Sequence, residues 1–144
     1  MIAIASDHAG IALKAELGRQ LRERGVAVED LGPEDPSSVD YPDYAHLLAR
    51  AVADGRVERG ILICGTGIGM SMAANRHPGV RAALCHDAYT AEMARRHNDA
   101  NVLCLGARTI GAGVAEQVVR VFVDTPFEGG RHQRRVAKIE REEP

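Results

Sequence analysis

The sequence predicts an α/β fold: a three-layer α/β/α sandwich around a five-stranded, parallel, Rossmann-like sheet. Three observations carry that reading. Short apolar runs alternate five times with longer amphipathic ones. The run GILIC at 60–64 is apolar throughout, as in a strand covered on both faces of a parallel sheet. Helical stretches stop at glycines, Gly25 and Gly55 among them. A length of 144 residues suits one domain with a real core, read here as 1–144 with residues 131–144 a C-terminal helix and tail.

The elements follow in order. IAIAS (2–6) is the first strand. Residues 11–24 form a helix, with Leu13, Leu17 and Leu21 on one face and Lys14, Arg22 and Glu23 away from it. VAVED (26–30) is the second strand, and the Pro-, Asp- and Ser-rich stretch 31–42 is a loop. The acidic segment 29–40, which overlaps the end of that strand and most of the loop, has no assigned role beyond a solvated connection. A helix at 43–54, a strand at 60–64 and a helix at 68–76 come next. RAALC (81–85) is the fourth strand, followed by a helix at 88–97, and NVLCLG (101–106) is the fifth. Helices at 111–123 and 132–142 close the chain.

Composition removes several classes of function. Eighteen Lys+Arg against twenty Asp+Glu leave a formal charge of −2, which gives no footprint for nucleic acid or an anionic membrane. Tyr41, Tyr44, Tyr89, Phe122 and Phe127 are too few for a base-stacking surface. No apolar run approaches the roughly 20 residues that span a bilayer. The start of the chain does not read as a secretory signal. Three cysteines without CxxC spacing argue against a disulfide framework and a zinc ribbon, so a reducing cytoplasm is the expected compartment.

Ligands of such sheets bind beyond the carboxyl ends of the strands. Ser6-Asp7-His8-Ala9-Gly10 follows the first strand. Ser6 or Asp7 suits a helix cap there, and an Asp–His pair also suits proton movement on a polar ligand. ICGTGIGMS follows the third. Gly65, Gly67 and Gly69 let backbone N–H groups converge on an anion, although the spacing is neither a dinucleotide fingerprint nor a P-loop. Cys64 sits beside those amides, where a thiolate has the chemistry of a nucleophile or of a proton-abstracting base. Thr66 and the amides suit an oxyanion formed beside it. Cys85 and Cys104 read as core. His97 and Asn98 follow the fourth helix, and a helix C-terminus favours a cationic side chain. Arg108 follows the fifth strand. Arg131 and Arg135, four apart on one helix face, form either a solvated basic face or a fork for a phosphate.

Five stretches, SDHAG (6–10), DYPDYA (40–45), ICGTGIGMSMAANR (63–76), RRHNDANVLCLGAR (95–108) and EGGRHQRRVAKI (128–139), together resemble the ribose-5-phosphate isomerase B family, which includes the galactose-6-phosphate isomerase subunits. The resemblance runs nearly end to end. It implies an aldose–ketose isomerase of a small sugar phosphate, working without metal or organic cofactor. It implies a homodimer, in some members paired into a tetramer, with active sites shared between subunits.

By the same resemblance Cys64 is the base that moves a proton between C2 and C1. Thr66 and the amides of Gly65 to Gly69 stabilise the enediolate. Asp7 and His97 open the furanose ring, His97 from the partner subunit. His8, Arg131 and Arg135 hold the phosphate, with Arg108 as a further candidate, Asn98 contacts the sugar or the enediolate, and Tyr41 lines the pocket. Some members lack the cysteine and carry a glutamate where this chain has Met70, which favours Cys64 as the base here. The expected reaction interconverts ribose 5-phosphate and ribulose 5-phosphate. The alternatives are another sugar phosphate (allose 6-phosphate, galactose 6-phosphate or a tetrose phosphate) and, further off, a non-catalytic phosphate-binding module. The last would leave Asp7, Cys64 and His97 too far apart to meet around one sugar, with no partner closing the gap.

Overall fold

The computed structural model describes residues 1–140. Its strands are β1 (Ile2–Ser6), β2 (Val28–Asp30), β3 (Arg59–Cys64), β4 (Ala82–Leu84) and β5 (Val102–Gly106). Its helices are α1 (Ile11–Glu23), α2 (Tyr41–Ala53), α3 (Ile68–Ala74), α4 (Ala88–Arg96), α5 (Ala112–Asp124) and α6 (Arg131–Ile139). The five strands form one sheet in the order β2-β1-β3-β5-β4, every pairing parallel.

Both faces of the sheet are covered, as the continuous apolar strands require. Ile2, Ile4, Ile61, Ile63, Leu103 and Leu105 face α1, α4 and α5, which contribute Leu17, Leu21, Ala91, Ala94, Val118 and Phe122. The alternate residues Ala3, Ala5, Leu62, Cys64, Val102 and Cys104 face α2 and α3, which contribute Ala45, Leu48, Ala49, Val52, Met70 and Ala74. Small residues on this second face let α2 approach closely. A Cβ on Gly60 would lie within the Leu48 side chain.

The element boundaries shift where local hydrogen bonds decide them. β2 begins at Val28 because the Val26 N–H is taken by Leu21 O, which finishes α1. α2 begins at Tyr41, with Pro42 tolerated in its first turn where no helical N–H partner is lost. α6 ends at Ile139, and the rest of the expected helix, 141–142, lies outside the described residues. A 3-10 turn at His8–Gly10, absent from the sequence reading, links β1 to α1.

Lys14 departs from the expected solvent face. It is 2% exposed. Its Nζ reaches Asp30 Oδ1 and Pro33 O, both at 2.7 Å, so the buried ammonium is paired and bonded. Nor is the 29–40 segment only a solvated connection: Lys14 holds its start, and its Val39 N–H donates to His8 Nδ1 at 3.2 Å.

The sheet order reverses between β1 and β3. The chain leaves β1 toward β2 on one side, and β3 opens the half that contains β5 and β4. The crevice at such a switch point, beyond the strands' carboxyl ends, is where open α/β sheets bind ligands.

Candidate active site

The ends of β1 and β3 meet at that crevice. Ser6 pairs with Ile63 in register, and the Asp7 N–H extends the ladder to Ile63 O at 3.0 Å. Asp7 is buried, and its Oδ1 accepts the Ala9 N–H at 2.9 Å, capping the 3-10 turn. Gly10 makes this turn fit: a Cβ there would sit 2.8 Å from Ile63 O. His8 accepts the Val39 N–H on Nδ1. In the neutral ring the proton then sits on Nε2, leaving that nitrogen as a donor.

Cys64 ends β3 and is 5% exposed. Its Sγ accepts the Gly67 N–H at 3.0 Å. Gly67 caps α3 with φ 78°. An added Cβ would meet Leu105 O at 3.0 Å, so both backbone and space require glycine. Thr66 Oγ1 accepts the Ile68 N–H at 3.2 Å. Gly65 O and Cys64 O accept from Arg108 N (3.0 Å) and Ala107 N (2.8 Å), which ties the turn to the end of β5. The Arg108 guanidinium lies over Gly65, 3.5 Å from where a Cβ would stand. Tyr41 packs its ring on Gly69, its Oη 2.8 Å from the corresponding Cβ position. Asp7, His8, Tyr41, Cys64, Gly65, Thr66, Gly67, Gly69 and Arg108 therefore share one edge.

The other two cysteines are core, as expected. Burial pushes the Cys85 thiol up to about 11. It raises fully buried Cys104 as well. Met70 is wholly buried in the α2–α3 core and offers nothing to the crevice.

His97, Asn98, Arg131 and Arg135 lie at the opposite edge. α4 runs back from the end of β4, so its C-cap, His97, sits beside the strands' amino ends. Asn98 lines a cavity of about 550 Å³ there with Arg76, His77 and Arg81. Arg59, the first residue of β3, donates to Phe122 O at 3.0 Å and Val123 O at 2.9 Å, which fixes the end of α5 at this edge. Glu128 N–H then donates to Arg96 O at 3.1 Å and brings α6 alongside α4. β3 has six residues, so the two edges stand roughly 16 Å apart at about 3.3 Å per residue. One chain does not bring Cys64 and His97 around one sugar.

The sequence reading missed His132. Its ring stacks on that of His97, with centroids 4.3 Å apart and planes 13° from parallel. The signal was its place in the stripe His132, Val136, Ile139, spaced i, i+4, i+7, of which the first two are buried. His97, Glu128 and His132 are also the one group of three metal-type ligands among the described residues. Parallel rings send their in-plane lone pairs past each other, and Arg131 and Arg135 act on His132 from the same helix. Neither favours a cation.

A parallel sheet with a cysteine, an Asp–His pair and an amide-rich turn at its switch point defines a Rossmann-like α/β enzyme. The sequence model of the family described as Ribose/Galactose Isomerase matches residues 2–139. Ribose-5-phosphate isomerase B of Escherichia coli is 49% identical over 138 residues, covering 96% of this chain and 93% of that protein. D-erythrulose-4-phosphate isomerase of Pectobacterium atrosepticum is 46% identical over 140 residues, covering 96% and 91%. The crystal structure of ribose-5-phosphate isomerase B from Mycoplasma genitalium with bound ribulose-5-phosphate superposes with a TM-score of 0.92 at 47% identity, covering 96% and 93%. The chain belongs to the ribose/galactose isomerase family and is an aldose–ketose isomerase. No helix among the described residues is long and apolar enough to cross a membrane.

Proposed function

We propose that the chain interconverts ribose 5-phosphate and ribulose 5-phosphate in the cytoplasm, as one isomerase domain that works in a homodimer. The observation that carries the reading is Cys64, whose Sγ lies 3.0 Å from the Gly67 amide at the switch point. The Cys64 thiolate takes the proton from C2 and returns it to C1. Thr66 and the amides of Gly65 to Gly69 hold the enediolate oxygens, whose charge grows as the C2 proton leaves.

Aldopentose phosphates are mostly closed rings, so the ring must open first. Asp7 keeps one carboxylate oxygen beyond its cap bond and handles one proton of that step. His97 handles the other. Because His97 stands at the far edge, it comes from a second copy, with Asn98, Arg131 and Arg135. A two-fold dimer that sets one copy's amino-end edge against the other's crevice supplies both sites at once. Arg131 and Arg135, with His8 and Arg108, then grip the phosphate, which does not react and serves to position the sugar. Tyr41 over Gly69 lines the wall, and pairing of dimers into a tetramer adds nothing the chemistry needs.

The test is ketose formation from ribose 5-phosphate by the intact protein and by Cys64→Ala. Turnover that the substitution abolishes supports the reading, and turnover that survives it places the base elsewhere. The likeness to a D-erythrulose-4-phosphate isomerase favours a second reading, a tetrose phosphate, since Cys64, Thr66 and the phosphate-binding residues engage the enediolate or the phosphate rather than the middle of the chain. A kcat/KM for erythrulose 4-phosphate above that for the pentose phosphates would select it.

A further inference from the structure

The stack between His97 and His132 is unused by the proton transfers just described. His132 is 5% exposed, and its Nε2 makes no hydrogen bond within the described residues. Glu128 Oε1, at 3.8 Å, stands beyond hydrogen-bond reach. The groups acting on the ring come from three places: His97 at the end of α4, Arg131 and Arg135 on its own helix, and Glu128 on the segment before it. Burial most of all disfavours a proton on His132, and three of these four groups add to it. What remains is a neutral, flat, fixed ring against the face of His97.

We propose that His132 is a positioning residue for His97: its buried imidazole fixes the plane of the His97 ring by stacking, so that His97 meets the sugar-ring oxygen in one orientation. The inference rests on the reading that His97 acts in ring opening. An unsupported imidazole at a helix end has rotation about two bonds, and a misplacement of about 1 Å can cost on the order of 10²-fold in rate. An aromatic platform at 4.3 Å removes one of those rotations without adding charge. A protonated platform would repel a protonated His97, which is why the neutral form of His132 matters.

Ribulose 5-phosphate has no free hydroxyl with which to close a furanose, so it enters as an open chain. An enzyme poor at ring chemistry can still release open-chain ribose 5-phosphate, which closes in water. The experiment measures kcat and KM in both directions for His97→Ala, His132→Ala and His132→Phe, with circular dichroism to check the fold. The expected result for His132→Ala is a loss of about 10- to 100-fold in kcat from ribose 5-phosphate. Its KM should change little, the loss from ribulose 5-phosphate should be much smaller, and the pH profile of the aldose reaction should alter. His132→Phe, which keeps a neutral ring, should restore most of the aldose rate. Equal losses in both directions, or a Phe variant as poor as Ala, would overturn the inference while an aldose-selective His97→Ala left the ring-opening reading standing. A His97→Ala that lost nothing selective would remove that reading and the inference with it. If His132→Ala does not fold, the comparison of His132→Phe with His132→Asn replaces it, since only the first retains the platform.

Discussion

The sulfur of Cys64 accepts the Gly67 amide hydrogen at 3.0 Å, across the two residues that turn β3 into α3. That contact sets a thiol against one backbone N–H of the turn, with the Thr66 hydroxyl held by the next, the Ile68 N–H. A base that removes a proton beside a carbonyl needs an anion stabiliser within reach of the oxygen that gains charge. In the proposed reaction this one turn supplies both.

Cys64→Ala should leave a folded protein, because the residue sits at a strand end and its loss removes one sulfur from the α2–α3 core. It should lower kcat at least 100-fold, the lower range of a positioned acid or base. Binding of sugar phosphate, read by calorimetry, should persist. Wild-type turnover in the variant would sink the assignment.

Gly67→Ala tests the turn itself. At φ 78° an alanine is strained, and its Cβ would lie 2.9 Å from Leu105 C. The expected cost is roughly 2–4 kcal/mol of stability. Urea unfolding would measure it, and a change below 0.5 kcal/mol, about the scatter of an ordinary surface substitution, would mean the turn relaxes freely.

The distance between the edges predicts complementation. Alone, Cys64→Ala and His97→Ala dimers should both be poor enzymes. After mixing, unfolding and refolding together, half the dimers are mixed, and each mixed dimer has one site with both defects and one with neither. Recovery of about a quarter of the wild-type aldose activity is expected. No recovery beyond the sum of the parents would place His97 and Cys64 in separate functions.

The split between edges was already written in the chain's order of elements. A residue that follows a strand, such as Cys64 or Arg108, lands at the carboxyl edge, and one that follows a helix, such as His97, lands at the other. The strands were legible because β1, β3 and β5 are apolar runs, and the crevice because three glycines at alternate positions follow β3. Lys14 and His132 were not legible. Each is a polar side chain in or beside an apolar stripe, and periodicity does not say whether a partner waits there. The partners, Asp30 with Pro33 O for one and His97 for the other, come from different elements and meet only in the fold.

Arg135→Ala removes one arm of the proposed phosphate fork. A hydrogen bond to a charged group is worth about 1.5–3 kcal/mol, so KM for ribose 5-phosphate should rise roughly 10- to 100-fold with a smaller change in kcat. Inorganic phosphate should inhibit the variant less well than the wild type. An unchanged KM would return α6 to a solvated basic face.

Stability should fall with acid in a window set by two histidines. Burial, then His46 and Arg50, hold His77 below the ordinary histidine value. Burial, then His97 and Arg131, do the same for His132. Folding therefore favours the neutral rings, while the unfolded chain takes up protons at its ordinary value of about 6.5. The contribution is fully present above that value and is lost as pH falls through the lower folded values. Urea midpoints measured at fixed protein concentration should drop from pH 7.5 to 5.5, above the range where carboxylates titrate. His132→Phe should flatten part of that drop, because a ring without a titrating nitrogen has no proton to refuse. A midpoint that holds steady or rises across the window would mean that folding does not hold these rings below the ordinary histidine value.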